Sequence, residues 1–244
     1  MKVLLIGDSC EDRYFYGDVK RLNPEAPVPI LEYRRGVTSK GMVWNVRENL
    51  RSFGVEVYTS THPEEIIKTR YIDEKSNQQI MRYDVEPKIE PLSFDFPPEW
   101  NNLYDALVIS DYNKGYLTTE KIFELTYRFV GPVFIDSKKT NLPADAYIKI
   151  NELEHERMAY CNYENLIITR GGEGAEYKGD LYPAEKVNVF DVVGAGDTFL
   201  AALTYGYLKY GRIDKAIPLA NKAAAVAVSH RGTYVLTEED VQKL

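Results

Sequence analysis

Cysteine, histidine, positive charge and long apolar runs are all scarce in this sequence, and each scarcity removes a class of protein. Of 244 residues two are cysteine, Cys10 and Cys161. Two cysteines cannot build the disulfide framework of a small secreted domain, so free thiols in a reducing compartment are expected. His62, His155 and His230 lack metal-ligand spacing and have no cysteine beside them, so structural or surface roles are expected. No segment approaches the roughly 20 apolar residues of a membrane span. The opening run Val3 to Ile6 is too short for a secretion signal, and Asp8 follows it. Lysine and arginine number 30 against 37 acidic residues, a net charge of −7. Nucleic-acid binding needs a basic face, so no such partner is expected, and the many tyrosines read as packing residues. The expectation is a cytoplasmic protein with no membrane partner. Internal repeats and low-complexity segments are also missing.

What is present points to an enzyme-sized core. At 44% hydrophobic, the chain suits one sizeable α/β domain, or one with a small appendage. "KVLLIG", "LVIS" (107–110), "VFID" (133–136), "YIKI" (147–150) and "LIIT" (166–169) are short apolar runs that end in polar residues or glycine. They read as buried parallel strands, and helical patterns such as "TTEKIFELTYRFV" lie between several of them. Ligands bind beyond the carboxyl ends of such strands, which makes Asp8, Asp111, Asp136, Asn151 and Arg170 candidates by position. A second texture interrupts the first. "APVPILEYRR", "IIKTRYI" and "NQQIMRYDVE" alternate apolar and polar residues, as half-buried antiparallel strands do. They predict a small sheet beside the main domain, a lid over segments of about 13–35 and 66–86, or else a surface hairpin.

The stretch "FDVVGAGDTFLAAL", residues 190–203, sets two aspartates around a glycine turn that enters a helix. Backbone N–H groups at a helix start are unpaired and attract an anion. Asp197 in that first turn would either repel the anion, serve chemistry on it, or cap the helix.

Taken with "GDSCEDRYFYG", "GMVWN", "NELE" and "ITRGGEGA" in this order, the motif resembles the PfkB (ribokinase-like) family of carbohydrate kinases, from about Val3 to Gln242. "NPEAPVPILEYRR", "NQQIMRYDVE" and "ISDYNKG" resemble most closely the kinase domain of the bacterial D-glycero-β-D-manno-heptose-7-phosphate kinases. The resemblance implies a single kinase domain over 1–244. It would be a three-layer α/β sandwich with a mostly parallel central sheet and a small antiparallel β lid. It implies an ATP-dependent phosphotransferase acting on a sugar or sugar-phosphate hydroxyl, best matched by the anomeric hydroxyl of heptose 7-phosphate. A homodimer through the lid is implied too, favoured by apolar positions such as Ile30, Ile80 and Met81. No nucleotidyltransferase domain, such as bifunctional members carry, is expected within the 244 residues.

Residue roles follow from the same resemblance. Asp197 is the general base, and the amides of Gly194, Ala195 and Gly196 form an anion hole for the transferring phosphoryl group. Asp12, Gly41 and Asn45 hold the sugar, with Asp8 assisting or merely ending its strand. Arg82 is a candidate for the sugar phosphate. Asn151 and Glu154 form the N-x-x-E pair that places phosphate and hydrated Mg²⁺, a solvated helix face being the alternative for Glu154. Thr169, Arg170, Gly171, Asn221 and Lys138 fall at the ATP site. Asp191, with carbonyls of Val193, Ala227 and Gly232, either holds a monovalent cation such as K⁺ or bonds its own turn.

Two departures bear on the acceptor. The sugar-binding turn of the family opens on two glycines, and here Met42 stands at the second, followed by Val43 and Trp44. After "GVEVYTSTH" the family has a further helix and strand, and here "PEEIIKTRYI" follows at once. A different sugar or nucleoside kinase, or a non-catalytic nucleotide- or partner-binding relative, are the alternatives these departures raise.

Overall fold

The structure is a computed structural model, and it describes residues 1–96, 98–158 and 163–244. Cys161 and Pro97 lie outside the described residues. In chain order the elements begin with β1 (Lys2–Gly7), β2 (Ser9–Leu22), β3 (Pro29–Met42), α1 (Val43–Ser52) and β4 (Glu56–Ser60). Then come β5 (Ile67–Asp73), β6 (Gln78–Val85), β7 (Ala106–Asp111), α2 (Thr119–Arg128), β8 (Val133–Ser137) and β9 (Tyr147–Asn151). The remainder is α3 (Glu152–Arg157), β10 (Leu166–Thr169), β11 (Gly174–Tyr177), β12 (Asp180–Pro183), α4 (Ala195–Tyr210), α5 (Ile213–Val228) and α6 (Glu238–Lys243).

These divide into two compact units. The larger comprises Met1–Asp8, Met42–His62 and Ile89–Leu244. Its sheet has eight strands in the order β12-β11-β10-β9-β8-β7-β1-β4. The pairs from β4 to β10 are parallel, and β11 and β12 add antiparallel at one edge. The apolar runs become central strands because both faces are covered. Val3 and Leu5 join a core with Val46, Leu50, Phe199 and Leu203 from α1 and α4. Leu4 and Ile6, on the opposite face, are equally buried, as are Ile122 and Leu125 of α2. Parallel strands demand such two-sided burial. The α/β sandwich with its mostly parallel sheet is thus as expected.

α4 and α5 pack closely because of small residues. A side chain on Gly206 would meet Ala216 Cα at 2.9 Å. Thr118 caps α2 by accepting the N–H of Lys121, and Thr237 opens α6 with a capping box to Asp240.

The smaller unit is Ser9–Gly41 with Pro63–Lys88, somewhat wider than the expected lid segments. Its four strands run β3-β2-β5-β6. The β5–β6 hairpin is antiparallel, and β5 lies parallel to β2. β2 and β3 are each 14 residues long; β2 alternates between buried and half-buried positions in its first half, whereas β3 is exposed along most of its length and buried only at Gly41 and Met42.

Candidate active site

The chemistry of the large unit collects where its parallel strands end. β1 ends beside Asp8, β7 at Asp111, β8 at Ser137 and β9 at Asn151. Asp8 and Asp111 are buried. Lys139 Nζ reaches Asp111 Oδ2 at 2.7 Å, and Ser137 Oγ donates to the same oxygen.

α4 begins on a left-handed glycine, Gly194, at φ 80°. A residue with a side chain would be strained there, and its Cβ would sit 2.6 Å from Asn45 Nδ2. The turn puts Asp197 in the first helical turn and fully inside, at 3% exposure. Its Oδ1 accepts a hydrogen bond from Tyr112 Oη at 2.7 Å and its Oδ2 one from Asn45 Nδ2 at 3.1 Å. Burial is the main reason its pKa is pushed up to about 6; Tyr112, Asn45 and Lys149 oppose the rise and Asp136 adds to it. A carboxylate with that pKa is poised as a base near neutral pH.

Beside it lies a buried cation. Lys149, in the middle of β9, pairs with Asp136 Oδ2 at 2.6 Å. Burial works against its charge, yet Asp136, joined by Asp197 and Glu154, holds its pKa above the ordinary lysine value. A side chain on Gly196 would meet Lys149 Nζ at 2.9 Å, so the ammonium lies against the start of α4. Fixed positive charge and a helix N-terminus therefore converge on one place. Of the three amides expected to form an anion hole, that of Ala195 donates to Val192 O at 3.3 Å.

A cavity of about 380 Å³ opens next to this point. Its walls include Thr169, Gly171, Ala195, Gly196, Phe199 and Asn221. It is mostly apolar with a few polar groups, as a nucleotide-sized site requires. Asn221 Nδ2 is spent on the carbonyls of Tyr182 and Pro183. Arg170 is tied to Glu176 at 2.8 Å and to Glu152. Asn151 and Glu154 form a reciprocal capping box at the start of α3, which uses Glu154 Oε2. Among the described residues no group of three His, Cys, Asp or Glu could hold a metal ion directly. Lys138 lies 5.1 Å from the Tyr112 ring centroid.

Asp191 accepts the N–H of Val193 and of Gly232, each at 3.0 Å. That is the turn-bonding geometry, and it staples the loop before α4 to the turn after α5. The remaining candidates belong to the small unit. Asp12 Oδ1 pairs with Arg70 Nη1 at 2.6 Å, and Arg82 forms a two-pronged pair with Asp84. A side chain on Gly41 would collide with Asp12 Oδ2 at 2.3 Å, so glycine is needed for this close approach.

Residues 144–240 match the pfkB family carbohydrate kinase model. The bifunctional protein HldE of Nitratiruptor sp. is 30% identical, over 99% of this chain and 64% of its own length. The HldE of Helicobacter acinonychis is also 30% identical, over 98% of this chain and 65% of its own. Residues 144–240 thus carry the pfkB family match, and nearly the whole chain is similar to the HldE proteins. The chain spans less than two thirds of the length of these relatives. Among solved structures, Escherichia coli phosphofructokinase-2 superposes with a TM-score of 0.73 at 16% identity, over 99% of this chain and 96% of its own. Thermotoga maritima ribokinase gives 0.69 at 16%, over 99% and 98%. At such identities the pfkB likeness to these structures is one of fold.

Two residues of this site carry no role in the sequence reading. Lys149 had a signal, a lone charge inside the apolar run "YIKI", since a central strand tolerates lysine only with a partner. Tyr112 had none, because tyrosine is abundant here and its hydroxyl finds Asp197 only through the fold.

Proposed function

We propose that this chain is an ATP-dependent kinase of a sugar or sugar phosphate, with the anomeric hydroxyl of heptose 7-phosphate as the best acceptor. The observation that carries the reading is Asp197. It is a buried carboxylate with a pKa near 6, set at a helix N-terminus beside a buried lysine and a nucleotide-sized cavity. The HldE relatives support the heptose choice, and the retained "ISDYNKG" and "NQQIMRYDVE" segments fit it.

In this reading the acceptor O–H gives its proton to Asp197 as its oxygen bonds to the γ-phosphorus. The bond from that phosphorus to the bridging oxygen breaks, and ADP leaves with the electron pair. The loose transition state needs charge stabilisation more than covalent help. Lys149 and the amides of Gly194 and Gly196 supply it where the equatorial oxygens pass, the Ala195 amide being engaged with Val192 O. Glu154 would hold Mg²⁺ through water, and the ion would neutralise phosphate charge. The capping box leaves Oε1 for that purpose, and Glu154 is close enough to raise the pKa of Lys149. A monovalent cation would have to share Asp191 with two N–H donors, so no step is routed through one. In the small unit, Asp12, Gly41 and Arg82 are proposed to hold the sugar and its phosphate. The same unit exposes Tyr33, Met81 and Tyr83, which supports a homodimer through it; sedimentation showing only monomer at micromolar concentration would remove that idea.

A second acceptor has its own support. Met42 is buried and keeps a glycine-like φ of 58° and ψ of −127° at the start of α1. A side chain now occupies space that the family leaves to backbone, which favours a differently shaped sugar. The test is acceptor-dependent ADP release with Mg-ATP, across a panel led by heptose 7-phosphate, with Asp197→Asn as control. Loss of the base should slow turnover roughly 10²- to 10⁴-fold. Turnover with another sugar only would reassign the acceptor. None with any acceptor would favour a binding protein.

A further inference from the structure

Tyr112 sits immediately after β7 and is held more firmly than a surface tyrosine needs to be. Asp8 Oδ2 accepts the N–H of Tyr112 at 2.8 Å and of Lys114 at 3.1 Å. Between them Asn113 turns the chain at φ 57°. The anchor is costly, because Asp8 Oδ1 is buried with no hydrogen-bond partner. An unpaired buried oxygen is destabilising, so its retention calls for a reason. The Lys138 ammonium also lies over the Tyr112 ring. Backbone and ring are therefore both fixed, and the phenol donates to Asp197 Oδ1 at 2.7 Å. The other oxygen of Asp197 has the longer bond, 3.1 Å, from an Asn45 amide that also serves Gly194 O at 3.2 Å.

We propose that Tyr112 is the positioning residue of the catalytic carboxylate: its phenol fixes Oδ1 and so presents Oδ2 to the acceptor hydroxyl. The inference rests on Asp197 being the base, as proposed above. A charge-assisted O–H···O⁻ bond is the stronger of the two contacts, and pinning one carboxylate oxygen sets the plane of the other. The shared amide of Asn45 is the donor that gives way to a sugar hydroxyl.

The same bond sets when the base is ionised. Among the described residues, those that act most on Asp197 are Tyr112 from the turn after β7, Asp136 from β8, Asn45 from α1 and Lys149 from β9. Burial and Asp136 favour the protonated form, and Tyr112 is the largest influence on the other side. Losing the phenol hydroxyl must shift the balance toward protonation.

The decisive experiment is a ¹³C-carboxyl NMR titration of the ligand-free full chain, with Asp197→Asn identifying the Asp197 signal. Tyr112→Phe, which removes one oxygen and keeps the ring, should raise the Asp197 midpoint by roughly one pH unit. Fluorotyrosine at position 112 is a stronger donor and should lower it. An unchanged midpoint in both variants overturns the proposal. In turnover assays the acid limb of kcat/KM should move with the midpoint, whereas a merely structural tyrosine would lower kcat at every pH and leave the limb in place. A midpoint that moves without turnover on any acceptor would count against the kinase reading while upholding the Tyr112–Asp197 coupling. A fixed midpoint with turnover that collapses in Asp197→Asn would do the reverse.

Discussion

The large unit buries and pairs key charges on and just after its parallel strands, whereas the small unit lays many of its charges over exposed sheet surface. In the first, the Lys149–Asp136 side chains are 5% and 16% exposed, and Lys139–Asp111 are 12% and 0%. In the second, Lys20–Glu32, Arg34–Asp18 and Arg35–Glu74 all lie largely in water. Buried pairs cannot relax when their surroundings change, so they hold a field in place for chemistry. Surface pairs are screened and contribute little. Arg70–Asp12, also in the small unit, differs from those three and is nearly as enclosed as the pairs of the large one. Burial of that one pair singles out Asp12 among the acidic residues of its unit.

Removing Lys149 should break the comparison most sharply. Lys149→Met strands Asp136 without its partner, and such losses cost about 3–5 kcal/mol. Urea denaturation would measure it; a change under 1 kcal/mol would mean that Asp136 finds water or another donor.

Asp197 comes next, with the opposite sign. Its folded-state pKa of about 6 lies above the ordinary 3.8, so the folded state binds this proton more tightly than the unfolded one. Stability from this group therefore rises as pH falls through 6 toward 4, and the ionised form costs about 3 kcal/mol above pH 6. Asp197→Asn should stabilise the fold at pH 8 by up to that amount and by about half as much at pH 5. Equal shifts at the two pH values would place the native pKa near its ordinary value.

Arg70→Met should cost about 1–3 kcal/mol, the scale of a lost hydrogen bond to a charged group. The smallest effect belongs to Arg34→Ala, which should leave the melting temperature unchanged within error. A clear drop there would show that the small sheet depends on its surface charges after all.

The pattern of legibility follows the same division. "LIIT" is β10 from end to end, and "VFID" and "YIKI" each fall one residue short of β8 and β9. Continuous apolar runs are unambiguous when both faces are covered. The glycine turn before α4 was equally readable, since only glycine takes its φ without strain. β11 and β12 were not anticipated, because four-residue edge strands carry too few apolar positions to register. β2 was legible only as a motif, although it is one long strand. At the site, the roles of Asp197 and Asn45 were expected only from the family resemblance of their motifs, and the fold brings the two side chains into contact. Tyr112 needed the turn after β7 and its anchor on Asp8, two facts that no local pattern encodes. Asp191 had two open readings, and backbone N–H donors now occupy both its oxygens.

The abrupt passage from β4 to β5 has a consequence for handling the protein. β4 ends the large sheet, with β1 on one side and no further strand beyond it among the described residues. Its outer row of backbone groups is a template for a strand from another molecule. Glu56 is the only charged residue in the strand, and Tyr58 is well exposed. At high concentration this five-residue rim is then one place where a second molecule can add a strand, however strong the core behind it.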